Sequence, residues 1–337
     1  MRRRPRAALS IGMVLLLIGS MSGIVLAATE STTTGSFTAS NVDPTVDSIE
    51  LWTTGGGASS TTTMTPQVQY NVKVAVTDNN TLDDLTTVKV YIYYDADGTY
   101  NTGDRPGAGN TQTCAILTWT NPATWEIDPN ASTTWAVVSG SCSAPSLSGS
   151  TGTFQFHFKP GKVATETPGA DEWHIYAVAD DGTATGDNYL ENLEMNWYGE
   201  ITSVTATSSF GTVALGASAV ISGTISATYI ANGAYDEQVK SSATWTGQTT
   251  STELTLYTSG TSPGAAQFAL LADDDGTVAG GVQVLSASYV AIDDTGTQTG
   301  ESGNTVSNNH LWLWLGSSGI PAEEYRGTIY FKIADGS

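Results

Sequence analysis

Apolar residues recur at every second position over much of this chain, and that period commits it to β-structure. Val68-Gln-Tyr70-Asn-Val72-Lys-Val74-Ala-Val76 alternates without a break and stops at Thr77-Asp-Asn-Asn80. Val88-Lys-Val90-Tyr-Ile92-Tyr93 repeats the pattern and stops at Asp95. Phe154-Gln-Phe156-His-Phe158 and Trp173-His-Ile175-Tyr-Ala177 follow, each closed by Gly, Pro or Asp. Successive side chains of a strand point to opposite faces, so each segment predicts a half-buried antiparallel strand ended by a turn. Helical periodicity is nearly absent. The expected fold class is all-β.

The 337 residues suffice for about two domains of ordinary size. A changeover is expected near Tyr198-Gly-Glu-Ile201, giving one β-sandwich over 41–199 and a second over 200–337. Strand candidates in the second include the stretches starting at Ile201, Ala219, Glu253, Gln267 and Val282. Leu311-Trp-Leu-Trp-Leu315 and Tyr325–Ile333 complete the set, with both tryptophans of the first expected on one core-facing side.

Ahead of the sandwiches, Arg2, Arg3, Arg4 and Arg6 precede an uncharged stretch from Ala7 to Ala28 with an apolar centre at Met13–Ile18. Val25-Leu-Ala27 offers small residues for signal peptidase, so residues 1–27 read as a signal peptide cleaved after Ala27. An uncleaved N-terminal anchor is the alternative, since the run is long enough to span a bilayer. Residues 28–40 are rich in Thr and Ser and read as a flexible arm. Either way the expected location is extracellular or at the cell surface.

The net charge is −21. Four of the 12 basic residues lie in the leader, which leaves 8 against 33 acidic ones and a net −25 for the exported part. Such a field repels phosphate, so neither nucleic acid nor an anionic lipid surface is an expected partner. Two cysteines, Cys114 and Cys142, in an exported chain predict a disulfide.

Asp95-Ala-Asp97-Gly-Thr-Tyr-Asn101-Thr-Gly-Asp104 places oxygen donors at alternating loop positions. Hard cations take six to eight oxygens, so Asp95, Asp97, Asn101 and Asp104 are the candidate calcium ligands, with calcium the one expected cofactor. The loop is no EF-hand, because Pro106 stands where the bidentate Glu belongs. Asp and Gly also make plain turns. That plainer reading is preferred for Asp180-Asp-Gly182 with Asp187 and for Asp273-Asp-Asp-Gly276.

Catalytic patterns are poor. Gly260-Thr-Ser262-Pro-Gly264 matches a nucleophile elbow by letter, but Pro263 follows the serine and a strand, not a helix, is expected next. His157, His174 and His310 are dispersed. The first two are expected on outward strand faces, where a metal pair would need adjacent strands in register. Glu323-Glu324 and Asp293-Asp294 are paired acids of the kind that rim a turn. The chain is therefore read as a non-enzyme. Trp119, Trp125 and Trp135 cluster in a polar stretch and are candidates for a ligand-binding face, since flat rings stack on sugars; packing of the core is the competing reading. Asn79-Asn-Thr81 and Asn130-Ala-Ser132 are glycosylation sequons in expected turns.

Asp43-Pro-Thr-Val-Asp-Ser-Ile49, Thr77-Asp-Asn-Asn80 and Tyr93-Tyr-Asp-Ala-Asp-Gly98 resemble the Ig-like domains of archaeal and bacterial surface proteins. Phe210-Gly-Thr-Val-Ala-Leu-Gly216 and the closing Ile320–Phe331 look like the first and last strands of secreted matrix-fibre sandwich proteins such as TasA and camelysin. The resemblance implies Ig-like sandwiches, jelly-roll or Ig-like in the second half, that build envelopes or fibres. It carries over no catalytic residue. The leading expectation is a structural filament or envelope component that associates with itself or with other surface proteins. A monomeric adhesin or glycan-binding module is the first alternative, and a secreted hydrolase the second.

Overall fold

The computed structural model of the protein describes residues 32–55 and 57–336. The signal-peptide segment 1–27 and the start of the arm lie outside them. Residues 32–41 have no regular secondary structure, and Phe37 is 94% exposed.

Residues 42–337 pack as one unit. Its first ten strands are β1 (Thr45–Thr53), β2 (Thr63–Met64), β3 (Tyr70–Thr77), β4 (Thr87–Tyr94), β5 (Cys114–Thr120), β6 (Thr124–Asp128), β7 (Ala136–Val137), β8 (Thr151–Lys159), β9 (Trp173–Asp180) and β10 (Thr185–Met195). They form a four-stranded sheet, β1-β3-β8-β7, and a six-stranded sheet, β2-β10-β9-β4-β5-β6. The alternation explains why these two sheets meet. Val72, Val74 and Val76 of β3 are fully buried while Lys73 and Ala75 are half-buried. Val72 lies opposite Phe156 and Val74 opposite Phe154 on β8. On the facing sheet Val90 sits between Leu117 of β5 and Ala177 of β9, and Ile92 lies opposite Ile175. The inward rows of both sheets form one apolar core. Val68, expected to open β3, is 47% exposed and lies outside the strand.

The remaining strands are β11 (Gly199–Val204), β12 (Val220–Ile221), β13 (Ile225–Ala231), β14 (Tyr235–Ser241), β15 (Thr244–Gly247), β16 (Glu253–Leu256), β17 (Gln267–Asp273), β18 (Val282–Gln283), β19 (Val290–Gly296), β20 (Asn304–Leu315), β21 (Tyr325–Arg326) and β22 (Ile329–Asp335). A nine-stranded sheet built along β11-β13-β20-β17-β16-β15-β21 faces a three-stranded sheet, β19-β14-β22. No sheet mixes strands from the two groups, and the changeover falls between Met195 and Gly199. Leu311 and Leu313 of β20 enter the second core with Phe268 and Leu270. The tryptophans are out of phase with them: Trp312, lying opposite Ile221 and Leu271, is buried on the other face. The leucines, not the tryptophans, fill this core.

Candidate functional site

Four groups of polar side chains stand out against these cores: the long β4–β5 hairpin loop, the two thiols, a triad of aspartates, and the seam between the sandwiches.

The β4–β5 loop, residues 95–113, folds back over the outer face of the six-stranded sheet. Arg105 places its guanidinium 3.9 Å from the ring centre of Tyr176 and 3.4 Å from Oδ2 of Asp187, which also accepts the Tyr176 hydroxyl at 2.8 Å. Tyr100 stacks on Tyr189, ring centres 3.8 Å apart. His174 does point away from the core, as its phase on β9 requires, but the β4–β5 loop buries it completely. Its Nε2 lies 3.9 Å from Oδ2 of Asp95. His157 sits on β8 in the other sheet, so the two histidines are not on adjacent strands and form no metal pair. Burial lowers the pKa of His157, and its Nδ1 is 3.1 Å from Nε2 of Gln69.

The predicted calcium ligands do not converge. Asp95 turns its Oδ2 toward His174, whereas Asp97 accepts the Thr99 N–H at 2.8 Å and Asn101 donates to the Thr99 carbonyl at 3.0 Å. Asp97, Asn101 and Asp104 are all exposed. Asp95 and Asp97 shape successive Asx turns, because each carboxylate accepts the backbone N–H two positions on.

Cys114 and Cys142 are both free thiols. Ala115, Leu117 and Trp119 point into the core, so Cys114 must point outward from β5. There it packs with Tyr93, Ile116 and Tyr176. Cys142 lies against the edge of the other sheet, where its Sγ accepts the His157 N–H at 3.2 Å. The predicted disulfide fails because its two halves belong to opposite layers of the sandwich. Burial, and then the charge of Asp128, push the Cys114 thiol up to about 12.

The tryptophans form no binding face. Trp119 is fully buried, 4.7 Å from Phe154 between ring centres. Trp135 is 3% exposed and donates its indole N–H to the Thr111 carbonyl at 2.7 Å. Trp125 is half-buried, edge-on to Phe156. They close the sandwich, as large rings do where apolar area is needed.

The Glu323-Glu324 pair also separates, and the side chains of Asp293 and Asp294 lie outside the described residues. Glu323 accepts the N–H groups of Thr249 and Thr250 at 2.6 and 2.9 Å, while Glu324 pairs with Arg326. Ser262 lies in the connection from β16 to its parallel neighbour β17 with no helix after it, so no nucleophile elbow forms. Asn79 and Asn130 of the two sequons are exposed.

Among the described residues, one group of three acidic, imidazole or thiol side chains brings its ligand atoms within 4.8 Å of one another: Asp78, Asp84 and Asp181. Asp78 follows the end of β3, Asp84 ends the short 3-10 turn Leu82–Asp84, and Asp181 opens the β9–β10 turn. Sequence reasoning passed over Asp78 and Asp84 and gave Asp181 a plain turn role. The residues are distant in the chain, and no spacing rule links them.

No protein-family model matches the chain, and no curated protein was found to be similar to it.

Polar side chains also bridge the seam between the sandwiches. Glu301 of the second sandwich accepts hydrogen bonds from the hydroxyls of Ser132 and Thr134 and from the Thr133 N–H at 3.1 Å. Asn232 donates to the carbonyls of Ala164 and Asn196 at 2.8 and 2.9 Å. Gln298 donates to the Val163 carbonyl at 2.9 Å, Gln112 to that of Thr299 at 3.1 Å, and Lys162 pairs with Glu200 at 2.5 Å. Burial, reinforced by the charge of Asp335, pushes the Glu166 carboxyl up to about 7.

Proposed function

We propose that this chain is an exported structural protein of the cell surface or extracellular space, a filament or envelope component that assembles through its sandwiches. The observation that carries this reading is the seam. Two autonomous binding modules need only a linker between them, whereas here the carbonyls of residues 163, 164, 196 and 299 are all bonded across the joint. Domain interfaces are by default loose and mobile unless large. Side chains that lock backbone to backbone suit a part whose job is to hold a fixed geometry and transmit it to neighbours.

Other features agree with this reading. The basic and apolar N-terminus suits export, and the acidic, Thr- and Ser-rich surface suits an exposed extracellular part. Strands β6 and β22 end their sheets and pair through one edge each, with β5 and β14 respectively. An open edge can accept a strand from a second copy, and the 28–40 segment is the natural donor. Electron microscopy of the purified exported chain tests the proposal: ordered fibres or lattices are expected, lost on deletion of residues 28–40. Dispersed monomers at high protein concentration would count against it.

A further inference from the structure

We propose that Asp78, Asp84 and Asp181 bind a divalent cation of the calcium class, which ties the two sheets of the first sandwich together at one end. The inference is independent of whether the chain assembles.

Two separate observations lead to it. The first is the convergence of three carboxylates within 4.8 Å. Oxygens sharing one calcium ion sit about 2.4 Å from it, and so at most roughly 4.8 Å from one another. The second concerns Asp78 itself. The residue is fully buried. Its Oδ1 accepts the Asn80 N–H at 2.9 Å, but its Oδ2 is shielded from solvent and takes no hydrogen bond. A buried carboxylate oxygen without a donor is costly, and two more carboxylates beside it add repulsion. A cation removes both penalties at once. Among the described residues no lysine or arginine forms an ion pair with Asp78 or Asp84.

The surroundings match a partly hydrated site. Asp181 is 8% exposed, and its Oδ1 accepts the N–H groups of Thr183 and Ala184, both at 2.7 Å, which fixes the carboxylate in place. Asp84 is exposed, leaving one side open for water ligands. Three carboxylates from three loops suit calcium, whose shell is large and adaptable. Magnesium more often keeps most of its water and one or two carboxylates. Asp78 directly follows a strand of the four-stranded sheet and Asp181 one of the six-stranded sheet, with Asp84 on the crossing between them. Ion binding at this point therefore opposes separation of the layers.

The test is calorimetric titration of the full exported chain with calcium chloride at pH 7, together with melting in calcium and in chelator. Calcium is expected to bind and to raise the melting temperature. The Asp84→Asn variant changes an exposed side chain, so it should fold, melt no lower than wild type in chelator, and bind calcium roughly tenfold or more weakly. The Asp95→Asn/Asp97→Asn double variant should keep the full calcium response. Absence of binding to the wild-type chain would overturn the proposal. So would an undiminished response in Asp84→Asn, or a response lost only in the Asp95→Asn/Asp97→Asn protein.

Discussion

Ser132 donates its hydroxyl to Oε1 of Glu301 at 2.5 Å, joining two residues that lie 169 positions apart on different sandwiches. Burial by itself would raise the pKa of this glutamate, but the Ser132 and Thr134 hydroxyls and the Thr133 N–H outweigh it and hold the group below its ordinary 4.5. A depressed acid contributes stability above its unfolded pKa and loses it as the pH falls through the folded value. Glu301→Gln should therefore cost about 1–2 kcal/mol at pH 7. In urea titrations that difference should shrink steadily below pH 4.5.

Glu166 behaves in the opposite sense. Its carboxyl sits against Gly233, where an added Cβ would lie 1.8 Å from Oε1. Its folded pKa stands at about 7 against an ordinary 4.5, so the folded state holds the proton more tightly. Stability should then fall as the pH rises from 4.5 to 7 and level off above. Glu166→Gln is expected to match wild type near pH 4.5 and to be more stable at pH 8. A wild-type profile unchanged by the substitution would show that this side chain does not titrate across the window.

The separation of the cysteines has a chemical readout. Unfolding the purified chain in guanidinium without reductant should release two titratable thiols, whereas a disulfide would yield none. In the native state Cys114 should react far more slowly than a free thiol, because a buried thiol at about 12 holds almost no thiolate at pH 8.

Trp119 carries the first core rather than a ligand. Trp119→Ala is expected to cost about 3–5 kcal/mol, measured by urea unfolding. Retention of full stability would return the ring to the list of binding candidates.

Gly186 of β10 lets the two layers of the first sandwich approach. An added Cβ would lie 2.0 Å from the Pro44 carbonyl oxygen and 2.8 Å from Cα of Thr45, both backbone atoms that cannot swing aside. Gly186→Ala should destabilise by about 1–3 kcal/mol, seen as a lower urea midpoint.

The strands were legible wherever one face is buried and the other wet, because burial then writes the period into the residues. Val72, Val74 and Val76 on β3 are such a case, and so are Val88, Val90 and Ile92 on β4. Alternation says which face turns inward but not what lies outside. The phase of β9 puts His174 on the outward face, but nothing in its neighbourhood announces that residues 95–113 return to cover it. The cysteines failed for a related reason: each was readable, but their layers were not. The aspartate triad was the least visible. Asp78 and Asp181 each look like turn residues, and only the crossing of the chain between sheets brings them together.

The proposed role requires the two sandwiches to behave as a single mechanical unit, and differential scanning calorimetry tests that most directly. It predicts one cooperative transition for the exported chain, with calorimetric and van't Hoff enthalpies equal, dividing into two when Glu301 and Gln298 are both replaced by alanine. Two separate transitions in the unaltered chain would contradict it.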